Sequence, residues 1–185
     1  MMTQDDVLDY WFAGDPATHR KVWFEKNQDF DAACSRFADA LCDAKAGVLD
    51  HWTETPRGTL ALIILLDQFS RNLHRESPEA FAADPKARAI ARTAVAQGFD
   101  QLLGPVERMF VYLPFEHSED LADQDKAIRL FATLREALGD DTIRHTERHR
   151  DVIRRFGRFP HRNAALGRVC TPDELDYLAQ PDAGF

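Results

Sequence analysis

Residues 56–73 read PRGTLALIILLDQFSRNL, and the stretch inside it from Leu60 to Leu66 is apolar on every side of a helix. A surface helix carries one apolar stripe, whereas a helix with no polar face has to be covered all round by other elements. Pro56 suits the first turn of such a helix, where its missing N–H has no partner to lose. The stretch therefore predicts a buried central helix from Pro56 to about Leu73. Its apolar run ends at Asp67, and Gln68, Arg71 and Asn72 follow. Asp67 and Arg71 are i, i+4 neighbours, as are Gln68 and Asn72. A polar cluster emerging from the most buried helix reads either as a mutually satisfied network that fixes helix register or as the wall of a ligand pocket.

Outward from this helix the chain shows helix punctuation throughout and almost no period-two alternation, so the fold class is all-α, with no sheet. Thr3 and Asp6 form a capping box ahead of a first helix through Phe12, which Gly14-Asp15-Pro16 ends. A second helix runs from about Gln28 to Lys45, with Phe30, Cys34, Phe37, Ala38 and Leu41 on one face and Gly47 as its stop. Asp84 and Pro85 supply an N-cap and first-turn proline for a helix ending at Gly98, and Gly104-Pro105 opens another that closes before Pro114. Ser118 caps a long helix to Leu138, Asp141 caps the next to Gly157, and a short turn covers His161 to Leu166. Thr171 to Glu174 is a capping box for a terminal helix to Ala179. Eight or nine helices joined by short connections make antiparallel hairpins, an α-α array or bundle in one domain over 1–185.

Charge narrows the function classes. The chain is −8 overall, yet residues 144–168 hold eight arginines against Glu147 and Asp151 alone. An acidic chain with one short basic stretch is not a general nucleic-acid binder, because phosphate neutralisation needs an extended positive surface. No window is apolar enough for a membrane span, and acids stand where a secretory signal would be positive, so a soluble cytoplasmic protein is expected. The three cysteines lack zinc spacing; Cys34 and Cys42, about 12 Å apart along one helix, cannot bridge, and all three are expected as reduced, apolar fillers.

Three long motifs carry a resemblance: LLDQFSRN at 65–72, YLPFEHSEDLADQ at 112–124 and RHRDVIRRFGRFPHRNAALGR at 148–168, joined by WF at 11–12 and FAAD at 81–84. Together they resemble the bacterial family catalogued as domain of unknown function 924, over nearly the whole chain. The resemblance implies a tetratricopeptide-like helical superfold and no established activity. Ser70 stands where the family pattern usually has proline after DQF, which relaxes a helix kink and leaves the neighbouring polar residues in place.

Candidate chemistry gathers at these motifs. Glu116 and His117 lie at a predicted helix junction and suit a general acid and base pair, with Glu116 or Glu119 holding an imidazole tautomer. His145 and His149 have the i, i+4 spacing of metal ligands, but Glu147 is on the wrong face for the zinc-protease pattern and His149 shares an apolar face with Val152, Ile153 and Phe156, so no metal and no other cofactor is expected. Arg158, His161, Arg162 and Asn163 are presented where Gly157 ends a helix and Pro160 starts the next turn, a cradle for carboxylate or phosphate. Alternatively Glu116, Glu119, Asp120 and Asp123 fill that cradle from inside. The residues thus point first to a binding module for an anionic small molecule or peptide carboxylate through Asp67, Arg71, Asn72, His149, Arg158, His161, Arg162 and Asn163. A hydrolase or isomerase using His117 and Glu116 is the second reading, and a purely structural polar core the third.

Overall fold

The computed structural model describes residues 2–181 and 183–184. All regular structure among them is helical, with no strand. Helix α1 spans Gln4–Phe12 behind the reciprocal Thr3/Asp6 capping box, and its left-handed C-cap is Ala13. The expected second helix is broken: α2 (Gln28–Cys34) and α3 (Ala38–Ala46) are separated by a 3-10 turn at Ser35–Phe37. A turn with three residues rather than 3.6 rotates the buried face. Ala38 is consequently exposed, and Ala40, Leu41 and Ala44 face the core instead.

The central rod begins as α4 (Pro56–Ile63), continues through a π-helical segment at Ile64–Phe69 and ends as α5 (Ser70–Leu73). Every residue from Leu60 to Leu66 is 0 % exposed, as a helix without a polar face requires. It packs against α1, against α6 (Asp84–Ala96) and against α7 (Pro105–Glu116). Gly58 lets the start of the rod lie close to its neighbour, since a Cβ there would stand 2.3 Å from the Trp52 carbonyl oxygen. Aromatic rings seal its far side: Trp11 stacks on Trp23 at 5.9 Å and meets Phe69 and Phe110 edge-on at 5.2 and 5.5 Å. Such contacts add to the burial of large apolar surfaces.

Several boundaries differ from the sequence reading, each for a local reason. Helix α7 does not stop before Pro114 but runs through it to Glu116. Proline removes one backbone bond, yet Val111, Tyr112, Leu113 and Phe115 around it are buried, and the His117 N–H still reaches the Leu113 carbonyl at 2.8 Å. Asp84 does not cap α6, because its carboxylate is occupied by Arg71. The long helix expected from Ser118 to Leu138 is α8 (Leu121–Ala132) followed by α9 (Arg135–Leu138), and Asp120 is its cap. Helix α10 (Asp140–Phe156) starts directly after Gly139 and ends, as expected, on left-handed Gly157. The turn after it is shorter than expected, a 3-10 turn at Pro160–Arg162, and the Thr171/Glu174 capping box opens α11 (Pro172–Leu178). Helices α6, α7, α8 and α10 pack each on the next in that order. A small separate apolar cluster, Val152, Ile153 and Phe159, joins α10 to the last turn. Of the cysteines, all free, Cys34 is buried, but Cys42 is exposed and fills no gap.

Candidate functional site

The π segment decides where the central polar cluster points. One extra residue per turn breaks the 3.6 period just after the apolar run, and such bulges recur at functional sites. Asp67 lies within this segment and is fully buried. Its Oδ1 lies 2.8 Å from His117 Nδ1 and 3.2 Å from Arg71 Nη1, and Gln68 donates to its Oδ2. Arg71 in turn grips both oxygens of Asp84 at 2.8 and 2.9 Å. Burial alone would raise the Asp67 carboxyl, but the Arg71 charge and His117 hold it below the usual carboxylate range. Burial likewise pulls against Arg71, which Asp67 and Asp84 nevertheless hold above the usual arginine value. His117 feels burial more strongly than Asp67 and is lowered, so Nδ1–H donates to an ionised Asp67 from a neutral ring.

Glu116, beside His117 in sequence, is not its partner. It is 1 % exposed, its Oε2 has no hydrogen-bond partner, and its Oε1 lies 3.6 Å from His149 Nδ1 and 3.9 Å from His145 Nε2. Burial pushes its carboxyl up to about 8, opposed by a Thr146 hydrogen bond and reinforced by the Asp67 charge. Burial also lowers His145 and His161 to about 4, and His149 well below its usual value, with neighbouring arginine and histidine charges adding. Glu116, His145 and His149 each bring one donor atom within 4.8 Å of the others, a carboxylate and two imidazoles of the kind that hold divalent transition metals. His149 Nδ1, however, donates to the His145 carbonyl at 3.0 Å, so that nitrogen is not available as a ligand.

The arginine run divides. Arg162 is 7 % exposed and its guanidinium lies between two rings, 4.8 Å from Phe81 and 4.4 Å from Phe159. Asp84 Oδ2 is 3.7 Å from Nη1, beyond hydrogen-bond reach, and Nε is buried with no partner. Burial and the Arg71 charge depress its pKa to about 10. Arg158, by contrast, grips Glu174 with distances of 2.6 and 2.7 Å, and Asn163 is buried against Cys170 and Glu174. Of the acids expected to fill the cradle, Glu119 does so, pairing with Arg168 at 2.8 Å and accepting from the Phe159 N–H. Asp123 turns instead to Arg88 and Arg92 on α6, and Asp120 caps α8.

These side chains surround a cavity of about 320 Å³. Arg71, Asn72, Glu116, His117, His149, His161 and Arg162, all singled out from the sequence, line it, while Arg158 and Asn163 do not and Asp67 supports it from behind. Gln68 and His145, also noted in the sequence, line it too; the apolar part of the lining, Trp23, Phe24, Phe81 and Leu113, was not assigned to a site, and Asp84 was expected only as a helix cap. FAAD at 81–84 was visible as a motif, but nothing in it shows that Phe81 stacks on Arg162 or that Asp84 holds Arg71.

Fold and site together define a helical protein with a cavity lined by arginines, histidines and aromatic rings. A family model described as a bacterial protein of unknown function, DUF924, matches residues 7–182, and the chain belongs to that family. A solved protein of unknown function from Agrobacterium tumefaciens is similar to it, with 42 % identity, a TM-score of 0.84, and coverage of 95 % of this chain and 96 % of that one. No curated protein matches the chain. No helix among the described residues is long and apolar enough to cross a membrane.

Proposed function

We propose that the cavity binds a small anionic molecule, and that Arg162 receives it. The observation that carries this reading is a guanidinium more than nine-tenths buried that forms no hydrogen bond among the described residues, on a residue that lines a cavity. A buried charge without hydrogen bonds is costly, so a protein that keeps one has a use for it. The tetratricopeptide-like arrangement implied by the family resemblance belongs to this proposal, since stacked helix pairs build concave binding surfaces. Arg162→Met should leave the unliganded protein as stable as the parent or up to about 2 kcal/mol more stable, because an apolar side chain in that sandwich removes a buried charge that has no hydrogen bond. The same variant should lose the thermal stabilisation that acetate, phenylacetate or inorganic phosphate gives the parent. A variant several degrees less stable, from a parent that responds to none of these anions, would make the arginine a structural lock instead.

A second reading, acid and base catalysis on the bound anion, is favoured by the Asp67–His117 contact of 2.8 Å. A buried carboxylate on Nδ1 sets the tautomer and leaves Nε2 as the basic nitrogen, the arrangement that a histidine general base needs. Glu116, with its carboxyl pushed up to about 8, is a proton donor lining the same cavity. Nitrogen-15 NMR of the histidine rings at pH 7 should show His117 as the Nδ1–H form; the opposite tautomer would remove His117 as a base.

A further inference from the structure

Anion binding leaves the chemistry of the ligand open, and the cavity narrows it. Four cationic side chains line it. Lys26 faces Glu76 at 3.6 Å, Arg75 is held by Asp31, and Arg71 is held by Asp67 and Asp84. Of the three arginines, only Arg162 is left without a hydrogen bond among the described residues, with Asp84 at 3.7 Å, so one guanidinium has donors to offer. Its Nε is covered, which leaves the terminal nitrogens as the reachable edge. Two parallel N–H donors match the two coplanar oxygens of a carboxylate, whereas a phosphate dianion brings a second charge with no second unbonded guanidinium and two acids, Asp67 and Asp84, nearby.

Part of the lining is apolar. Trp23, Phe24 and Leu113 face the same cavity, and Phe24 is 48 % exposed, the one aromatic ring among the exposed large hydrophobics of the described residues. A half-exposed ring beside a cavity, where the other described phenylalanines are more deeply buried, gains by covering apolar ligand surface.

We propose that the ligand is a monocarboxylate with an apolar, aromatic-sized body, its carboxylate on the Arg162 terminal nitrogens and its body on Phe24 and Leu113. This rests on the anion-binding reading. Isothermal titration calorimetry at pH 7 with phenylacetate, acetate and inorganic phosphate tests it on the full chain. Phenylacetate should bind at least about tenfold more tightly than either of the others, since a buried ring adds apolar area that acetate lacks. Phe24→Ser, at a half-exposed ring that stacks on Phe110 from outside, should weaken phenylacetate by about tenfold and leave any acetate binding unchanged. Phosphate or acetate binding as tightly as phenylacetate, or a Phe24→Ser variant that binds phenylacetate like the parent, overturns the aryl carboxylate and leaves the anion site standing. No binding of any of the three overturns both.

Discussion

Asp67→Asn should destabilise the protein by about 3 to 5 kcal/mol, the range for breaking a buried ion pair by removing one partner. For a chain of 185 residues that corresponds to a melting point lower by about 10 °C at pH 7. The carboxylate sits at 0 % exposure among Gln68, Arg71 and His117, so three donors lose their anionic acceptor at once. Arg71 keeps Asp84, which limits the loss, but His117 loses what fixes its ring. Thermal melts followed by circular dichroism measure this directly. A variant within about 1 kcal/mol of the parent would show that the cluster is not a cooperative network. Unlike the Arg162 substitution, this one should affect the empty protein severely, and that contrast separates the supporting layer from the receiving group.

Glu116→Gln should change how stability depends on pH. The folded carboxyl is raised to about 8 from 4.5, so the folded state holds a proton that the unfolded state releases. Its contribution is fully present below pH 4.5 and is lost as pH rises through 8. Glutamine keeps the neutral shape and cannot ionise. Relative to the parent, the variant should therefore gain roughly 3 to 5 kcal/mol between pH 4.5 and pH 8, following the shift at about 1.4 kcal/mol per unit. His145 and His161 act in the opposite sense, because their lowered values cost stability as pH falls from 6.5 towards 4. That slope is common to both proteins and cancels in the difference. Parallel stability curves for parent and variant would mean that Glu116 is ionised in the folded state and that its burial is compensated by some other group.

Much of the helical frame can be read along the chain because its signals are local. Thr3 with Asp6, Thr171 with Glu174 and Gly157 each act within one turn, and all three work as their spacing implies. The Leu60 to Leu66 run implied total burial and has it. Boundaries failed where distant packing overruled a local preference: α7 continues through Pro114 because its neighbours cover it, and Asp84 leaves its capping position because Arg71 competes for the carboxylate. The π segment has no sequence signal of its own, yet it determines the direction of Asp67.

The polar residues of the candidate site were legible as types in motifs, but their pairing was not. His117 stands next to Glu116 and bonds to Asp67, 50 residues away, because adjacent residues at a helix end diverge while distant helices bring their ends together. Arg158 and Arg162 are four residues apart in one basic run, and they have opposite fates: Glu174 closes one, and two phenylalanines enclose the other without a hydrogen bond. By itself the sequence determined the helical class, the buried central rod and the residue types that gather around its end, since periodicity and capping are encoded within a few residues. Only the tertiary structure decided which charge has a partner and which faces the cavity, because an ion pair depends on where separate helices place their side chains, and spacing along one chain does not contain that distance.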